Sequence, residues 1–229
     1  MLAPLKLGDF DLFMLGGGGH ARVLLDIVAL VQPAWRVAIL ERDVSLCGAD
    51  VMGARVIGTD EMLQAIAQAQ PGAHFAVGLG AVGNCGPRRR LFHLAVSLGL
   101  SPQTLIHPSA NISQYAFVAG GAQLLPACIV NVGARIGRNT IINSGAIVEH
   151  DCVVMDHAHI ATGACIASTV TVGEGAHIGA GACVRQCLHI GDGAVVGIGA
   201  AVVQDVLPGT VVGGVPARPL RAGKNENQR

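Results

Sequence analysis

The fold of this chain is decided by a stretch whose central part, residues 142–178, reads INSGAIVEHDCVVMDHAHIATGACIASTVTVGEGAHI. Steps of six residues from Ile106 to Val202 meet an aliphatic side chain at all seventeen positions, with no insertion. A small residue, Ala or Cys, stands two places before most of them, and Gly often follows. A strict six-residue repeat is typical of a parallel β-helix, and the 3.6-residue period of an α-helix cannot produce it.

The physical basis of this assignment is the shape of one coil. Each hexad supplies a short strand and a turn, and three hexads close a triangular coil of what we call the prism. The aliphatic residue fills the inside of a face, a small residue fits near a corner, and Gly relieves strain where the backbone turns. Coils stack at about 4.8 Å, so residues eighteen apart lie above one another. We expect a left-handed prism, against the usual right-handed crossover rule, stabilised only by stacking.

The first hundred residues follow a different pattern, in which apolar strands alternate with helical segments. Strands are predicted at 10–15, 36–40, 74–79 and 103–106, and helices at 21–31, 59–67 and 87–98. Such alternation implies an α/β domain with a parallel sheet. The predicted organisation is therefore an N-terminal domain at 1–104, the prism at 105–220 and a frayed tail at 221–229.

Composition narrows the range of partners. The formal net charge is zero and 13% of residues are charged, which argues against nucleic acid or an anionic membrane as a partner. The mean hydropathy is +0.53 and the run 104–134 carries no charge, yet polar residues recur along it at hexad spacing. Burial in the prism explains this run better than membrane insertion. The N-terminus shows no continuous apolar signal segment, so we expect a cytoplasmic protein.

The seven cysteines contain no CxxC pair. Cys128 and Cys152 fall at the small inward position, where Cys acts as an apolar filler. Cys183 and Cys187 lack the further ligands that a zinc site needs. We expect reduced structural thiols and no metal.

The first chemical signal is a strand followed by Gly16-Gly17-Gly18-Gly19-His20 and a helix. Gly16-x-Gly18-x-x-Ala21 satisfies the dinucleotide fingerprint, and Glu41 lies near the position of a ribose-binding carboxylate. Bare backbone can approach a phosphate, and a helix N-terminus attracts anions. A second βαβ half is missing, which favours a nucleoside diphosphate over NAD. A tight turn without a ligand is the alternative.

The second signal is a cluster of polar residues inside the prism. Glu149, His150 and Asp151 interrupt the apolar hexads. A histidine beside carboxylates can be oriented, and its imidazolium stabilised, as a general base requires. A solvated histidine at a coil corner is the alternative. His159 and His177 are eighteen residues apart and should stack on adjacent coils.

The spacing of His150 and His159 predicts an assembly. They are nine residues apart, half of a coil, so the prism is too wide for both to reach one small group within a chain. They can meet only where a corner of one subunit packs against a face of its neighbour. A three-fold cyclic assembly permits this, and we therefore expect a homotrimer with three sites between prisms.

The repeat ends at Pro208-Gly209, and the small-residue segment 211–217 that follows ends in Arg218. A loop of this kind suits a flat ligand that carries phosphates. A polar cap on the open end of the prism is an equally good interpretation.

Four segments together resemble one family: GGGGH at 16–20, IHPSA at 106–110, Asn143 with EHDC at 149–152, and GVPAR at 214–218. They are similar to the bacterial sugar acetyltransferases that modify sialic acids or nucleotide-linked 4-amino-sugars. The resemblance covers essentially the whole chain. It implies a Rossmann-like N-terminal domain that holds the nucleotide-sugar, a left-handed β-helix that binds acetyl-CoA, and a trimer.

The resemblance also implies roles for individual residues. His150 would be the general base and Asp151 its acidic partner, with Asn143 positioning the sugar acceptor. The residues implied to line the nucleotide pocket are Gly17, Gly19, His20 and Glu41. Those implied to contact acetyl-CoA are His159, near the thioester carbonyl, Ser168, Ala180, Ile198 and Arg218. Family members often carry Asp-Asp after the second strand, where this chain has Glu41-Arg42.

The expected chemistry is direct attack of the acceptor amine on the thioester, with an oxyanion donor near His159 or a backbone N–H. A Cys152-linked acetyl intermediate is the rival route. The leading function is N-acetylation of a nucleotide-linked 4-amino-4,6-dideoxy sugar, followed by O-acetylation of a sialic acid. A non-enzymatic scaffold and an NAD-linked oxidoreductase are the weaker alternatives. The sequence does not distinguish UDP, GDP, dTDP and CMP, or the stereochemistry of the sugar.

Overall fold

The N-terminal part is a six-stranded sheet covered by helices on both faces. The computed structural model describes residues 6–220. Strands in this part are β1 (Leu12–Leu15), β2 (Val37–Leu40), β3 (Asp50–Val51), β4 (Ala54–Gly58), β5 (His74–Val77) and β6 (Ser101–Pro102). Helices are α1 (Gly19–Val31), α2 (Leu63–Ala69) and α3 (Gly86–Ser97), with 3₁₀ turns at Leu7–Asp9, Val44–Leu46 and Asp60–Met62. The strand order is β3-β4-β2-β1-β5-β6, and every pairing except β3–β4 is parallel.

The order of strands and helices confirms the predicted α/β class, and three details differ. The hairpin β3–β4 was not predicted, because its turn at Met52-Gly53 lacks the usual Asn-Gly or Asp-Gly signal. Helix α1 begins at Gly19, two residues before the predicted start. The strand predicted at 103–106 corresponds to β7 at Leu105–Ile106 in the prism, whereas β6, which pairs in the N-terminal sheet, was not predicted. The expected domain boundary at 104 lies between these two strands.

The prism consists of short parallel strands stacked in three faces, followed by a terminal hairpin. The first face has the order β25-β24-β22-β19-β16-β13-β10-β7, the second β23-β20-β17-β14-β11-β8, and the third β21-β18-β15-β12-β9. The strand bounds are β7 (Leu105–Ile106), β8 (Asn111–Ile112), β9 (Phe117–Val118), β10 (Gln123–Leu124), β11 (Ile129–Val130), β12 (Arg135–Ile136), β13 (Ile141–Ile142), β14 (Ile147–Val148), β15 (Val153–Val154), β16 (His159–Ile160), β17 (Cys165–Ile166), β18 (Thr171–Val172), β19 (His177–Ile178), β20 (Cys183–Val184), β21 (His189–Ile190), β22 (Val195–Val196), β23 (Ala201–Val202), β24 (Val211–Gly213) and β25 (Arg218–Pro219).

The hexad positions behave as predicted along most of the prism. From Leu124 to Val202 every sixth side chain is buried in one continuous core, together with the small residues that precede it. Cys128 and Cys152 are fully buried within that core. Ile106 is 38% exposed because no coil lies below the first one. The antiparallel hairpin of β24 and β25 follows the last coil.

The two parts of the chain pack against each other through the first face of the prism. Leu105, Leu125 and Ile141 share a hydrophobic cluster with residues of α1, β1, β2, β4 and β5. The outward positions of this face, residues 105, 123, 141, 159 and 177, are consequently buried. The tail expected at 221–229 lies outside the described residues. None of the helices within residues 6–220 has the length and apolar content that a membrane crossing requires.

Candidate functional site

His150 and Asp151 form a hydrogen-bonded pair at an exposed corner of the prism. The corner joins the second and third faces, between β14 and β15. His150 Nδ1 lies 2.9 Å from Asp151 Oδ2, and the His150 side chain is 50% exposed. A carboxylate can only accept, so Nδ1 carries a proton and Nε2 of the neutral ring keeps a free lone pair. That is the arrangement of a general base with an orienting carboxylate.

The position of the Asp151 carboxylate depends on the coil below. Asp151 has a φ of 59°, in the left-handed region, and its side chain lies over Gly133, eighteen residues earlier. A Cβ at Gly133 would overlap Asp151 Oδ1. The glycine therefore leaves the space in which the carboxylate can face His150.

His159 lies on the first face, buried against the N-terminal domain. Its Nδ1 is 2.6 Å from the carbonyl oxygen of Ala81, so Nδ1 donates to that oxygen. Its Nε2 then accepts from Asn143 Nδ2 at 3.1 Å, while Asn143 Oδ1 accepts from the Ser144 N–H. Burial is the main cause that lowers the pKa of His159 to about 4, and the buried Arg88 adds to it, so the ring is neutral at pH 7.

This chain of hydrogen bonds determines which group near His159 can donate a further hydrogen bond to an oxyanion. The imidazole itself presents an acceptor nitrogen that is already occupied, whereas the Asn143 amide has a second N–H to offer. The expected oxyanion donor near His159 is therefore better matched by Asn143 than by the ring. His177 lies next to His159 on the adjacent coil as predicted, and the two rings meet edge to face with centroids 4.9 Å apart.

His20 is held by a residue that the sequence did not single out. Its Nε2 lies 2.7 Å from Gln123 Oε1, and Gln123 Nε2 donates to the Val77 carbonyl at 2.9 Å. The second bond orients the amide, so His20 Nε2 is the protonated nitrogen and Nδ1 is free. Burial lowers the pKa of His20 to about 4, and the ring is neutral at pH 7. A neutral ring with this proton position offers an acceptor and gives no positive charge to a phosphate. Gln123 could have been noticed as a polar side chain at an outward hexad position.

The glycine turn leaves open backbone at the start of α1. Gly16 needs its φ of 102°, and a Cβ there would meet Leu79. Gly18 and Gly19, by contrast, have no atom within 4 Å of a would-be Cβ, so packing within the chain does not require glycine at either position. The absence of a capping side chain at Gly18 leaves the first N–H groups of α1 open to an anion.

Glu41 closes one side of this turn. Its Oε2 accepts from the Gly17 N–H at 2.6 Å, and its Oε1 accepts from the Arg42 N–H. A cavity of about 220 Å³ beside it is lined by residues that include Gly16, Glu41, Arg42, Asp60 and Arg90. Asp60 and Arg90 were not predicted, because they come from separate segments that only the folded domain brings to this edge.

Apart from His159, the residues expected to contact acetyl-CoA lie on two corners of the prism and on the terminal hairpin. Ser168 is one coil beyond His150 on the same corner, and the Thr169 N–H donates to the His150 carbonyl. Ala180 and Ile198 stack on the corner between the first and second faces, where Ile198 is largely exposed. Arg218 is exposed on the terminal hairpin, at the end of the first face.

The structure thus separates the candidate residues into two groups. The first group is His150, Asp151 and Ser168, on the corner between the second and third faces. The second group lies on the first face, on its border with the second, and on the N-terminal domain that covers it; its members are Gly17, Gly19, His20, Glu41, Asn143, His159, Ala180, Ile198 and Arg218. The His150 corner lies opposite the first face, in agreement with the separation inferred from the spacing of His150 and His159, whereas Ala180 and Ile198 lie on the other corner of the second face.

The thiol nearest in sequence to His150 points away from it. Cys152 is fully buried, its Sγ lies 3.1 Å from the Ala167 carbonyl, and burial raises its pKa. A thiol in this environment is a poor nucleophile. Within residues 6–220, no group of three or more His, Cys, Asp or Glu side chains is arranged to hold a metal ion.

Comparisons with known proteins identify relatives of this fold. The family model described as the PglD N-terminal domain matches residues 11–95. A GDP-perosamine N-acetyltransferase of Escherichia coli O157:H7 is 31% identical over 127 residues, which are 56% of this chain and 55% of that protein. The match therefore spans about half of the length of this curated relative.

Two groups of solved structures match almost the whole chain. The acetyltransferase domain of PglB from Neisseria gonorrhoeae, in complex with acetyl coenzyme A, is 32% identical, with a TM-score of 0.84 over 91% of this chain and 98% of that one. A variant of perosamine N-acetyltransferase from Caulobacter crescentus, in complex with CoA and GDP-perosamine, is 31% identical, with a TM-score of 0.85 over 92% of this chain and 97% of that one.

Fold and site together define a two-domain protein of the hexapeptide-repeat acetyltransferase class, with a Rossmann-like domain and a left-handed β-helix. The similarity along nearly the full length of these structures identifies the family. The chain belongs to the PglD-type bacterial sugar acetyltransferases.

Proposed function

We propose that this chain transfers the acetyl group of acetyl-CoA to the amine of a nucleotide-linked amino-sugar of the 4-amino-4,6-dideoxy type. The observation that carries the chemistry is the exposed His150–Asp151 pair, which leaves His150 Nε2 free to take a proton. Relatives of matching length were solved with acetyl coenzyme A, or with CoA and GDP-perosamine, which supports both substrates.

The proposed reaction is direct transfer. The amine nitrogen forms a bond to the thioester carbonyl carbon while His150 Nε2 takes the proton that the nitrogen loses. The C–S bond then breaks, and the proton passes to the departing CoA sulfur. Asp151 keeps the ring oriented and stabilises the imidazolium. The free N–H of the Asn143 amide would stabilise the oxyanion.

We propose that each site is assembled from two subunits of a homotrimer. One chain presents the corner with His150, Asp151 and Ser168. Its neighbour presents the first face, with Asn143 and His159, and the N-terminal domain above it. The pantetheine arm of acetyl-CoA would run between them along Ala180 and Ile198, towards the cation of Arg218. Closed three-fold symmetry gives every copy the same pair of contacts.

The nucleotide part of the sugar substrate would occupy the glycine turn. Gly18 and Gly19 leave space that the chain itself does not use, and the N-terminus of α1 favours a phosphate there. Glu41, on the Gly17 N–H, borders the cavity proposed for the base.

Subunit mixing tests the assembly and the chemistry together. His150→Ala and Asn143→Ala chains are each expected to be inactive as homotrimers. Random reassembly after dilute denaturation should restore about a quarter of the sites, those that combine an intact corner with an intact first face. Thiol release from acetyl-CoA measures the recovery, and reassembly of each variant alone is the control. No recovery from the mixture, with trimers formed, would contradict a shared site.

The acceptor is identified by the same assay. Thiol release is measured with nucleotide-linked amino-sugars carrying UDP, GDP, dTDP or CMP, and with free sialic acid. Turnover with sialic acid alone would favour the O-acetyltransferase alternative. The cytoplasmic location remains a prediction.

A further inference from the structure

Residues 77–81, which begin at the last residue of β5, connect the glycine turn to the prism. The Val77 carbonyl accepts from Gln123 Nε2 on the prism and from Arg88 Nη1 on α3. Gly78 lies so close to the Gly16 carbonyl that a Cβ there would approach it to 2.5 Å. This segment therefore contacts the proposed nucleotide site on one side and the first face on the other.

The same segment also receives hydrogen bonds further along. Leu79 O accepts from Arg88 Nη1 at 2.7 Å, and Ala81 O accepts from His159 Nδ1 at 2.6 Å. Arg88 is 1% exposed, and its Nε also reaches the Asn139 carbonyl of the prism at 3.2 Å. One buried cation thus connects Val77 and Leu79 of this segment to the Asn139 carbonyl of the prism.

Gln123 is the prism residue that links this segment to His20. It is completely buried, and both ends of its amide are engaged, with His20 and with Val77. The outward residues of the neighbouring coils, Leu105 and Ile141, pack on the N-terminal domain with apolar side chains. An apolar residue at 123 would therefore serve for docking, whereas a buried amide has a desolvation cost and is useful only if both bonds are made.

We propose that Gln123 is a positioning residue that acts on the acceptor substrate through His20. It holds the proton on His20 Nε2 and keeps Nδ1 as an acceptor. The group that His20 meets is then a hydroxyl or amine donor of the sugar, and not a phosphate oxygen. Arg88 supports this role because it donates hydrogen bonds to the same segment, residues 77–81, to which Gln123 donates. The substrate part of this inference rests on the function proposed above, whereas the proton position does not.

The first experiment replaces the Gln123 amide by an apolar side chain of similar size. In Gln123→Met, ¹⁵N-histidine NMR is expected to show His20 as a mixture of both tautomers, whereas the wild-type protein shows Nε2–H alone. The kcat/KM for the nucleotide-sugar should fall about three- to tenfold, the effect of one hydrogen bond, with the KM for acetyl-CoA unchanged. Leu105→Met, on the same face, is the control and should change neither the His20 tautomer nor the kcat/KM. An unchanged His20 tautomer in folded Gln123→Met would overturn the proposal.

Two substitutions of His20 distinguish the contributions of its two ring nitrogens. His20→Gln places an amide near the Nε2 position and retains a partner for Gln123, whereas His20→Asn places one near Nδ1. We expect the Asn variant to keep the higher kcat/KM and the Gln variant the higher melting temperature. Binding of the bare nucleoside diphosphate should match the wild type in both. Loss of that binding in the Gln variant would show a phosphate contact and overturn the assignment. The same substitutions at His74, at the opposite edge of the sheet, are the control.

Gln123→Glu retains the shape of the side chain and provides the test if Gln123→Met does not fold. In Gln123→Glu a carboxylate faces His20 Nε2 and should raise its pKa, which NMR titration measures directly. An unchanged His20 titration would overturn the inference. The NMR readings need no turnover, so they remain decisive even if none of the nucleotide-linked amino-sugars proves to be a substrate.

Discussion

Gly133→Ala should reduce activity because the added methyl group would displace the Asp151 carboxylate, although Gly133 makes no hydrogen bond to it. Gly133 has a φ of 73°, and its added Cβ would overlap Asp151 Oδ1 on the next coil. Asp151 can relieve the overlap by rotating its side chain, which lengthens the 2.9 Å contact with His150 Nδ1. The substitution therefore perturbs the orientation of the proposed base from outside the site.

The size of the effect follows from the two interactions involved. A non-glycine residue in the left-handed region costs about 1–2 kcal/mol of folding stability. Loss of a hydrogen bond to a charged group costs about 1.5–3 kcal/mol. If that bond orients His150 in the transition state, kcat falls about ten- to a hundredfold.

Gly193→Ala is the matched control for this experiment. Gly193 has a φ of 62° at a comparable corner turn, but no atom lies within 4 Å of its would-be Cβ. It should incur the same backbone cost and leave turnover unchanged. Thermal unfolding and thiol release from acetyl-CoA are measured for both variants. Equal turnover in the two variants at equal loss of stability would refute the proposed dependence of His150 on Asp151.

Three further predictions follow from the described geometry. His150→Ala should lower kcat by about two to four decades with folding intact, the usual range for a positioned base, and near-wild-type turnover in thiol release would disprove its role. Cys152→Ala should leave kcat largely unchanged because the thiol faces the core, and loss of turnover in a folded variant would instead favour the covalent route. His157 is a buried residue of the prism whose ring contacts Phe92 of α3 and the Asn139 amide. Burial lowers the pKa of both His157 and His159 to about 4, so the unfolded chain binds more protons than the folded one between about pH 6.5 and 4. Stability is therefore complete above that window and should fall on acidification by at most about 1.4 kcal/mol per pH unit for each ring. Urea unfolding at pH 7, 6 and 5 measures this, and an equal pH slope in His157→Gln would contradict the contribution of His157.

Much of the fold was predictable because the prism repeats a local rule. Each hexad places its aliphatic residue inside, and the next coil repeats the environment, so one period specifies the burial of Ile142, Cys152 and Ile160 alike. The hairpin β3–β4 was missed because its strands are short and its turn has no strong signal. Its place in the sheet depends on pairing with β2, a tertiary contact.

The candidate site could be predicted only in part from the sequence. His150 and Asp151 are adjacent in sequence, so their pairing could be expected from the sequence, although Gly133 on the coil below leaves the space for the carboxylate. His20 and Gln123 are 103 residues apart, and His159 reaches Ala81 across 78. No periodicity relates such positions, because their contact exists only after the two domains have docked.

What the sequence by itself determined is therefore the three-sided coil, the inward thiols and the pairing of one histidine with the next residue. All of these depend on spacings of one, six or eighteen residues, which backbone geometry converts directly into position. The tertiary structure alone decided where the protons of His20 and His159 reside and which buried groups hold them. The physical reason is that a proton on a buried imidazole goes to the nitrogen that faces an acceptor, and that acceptor comes from a distant part of the chain.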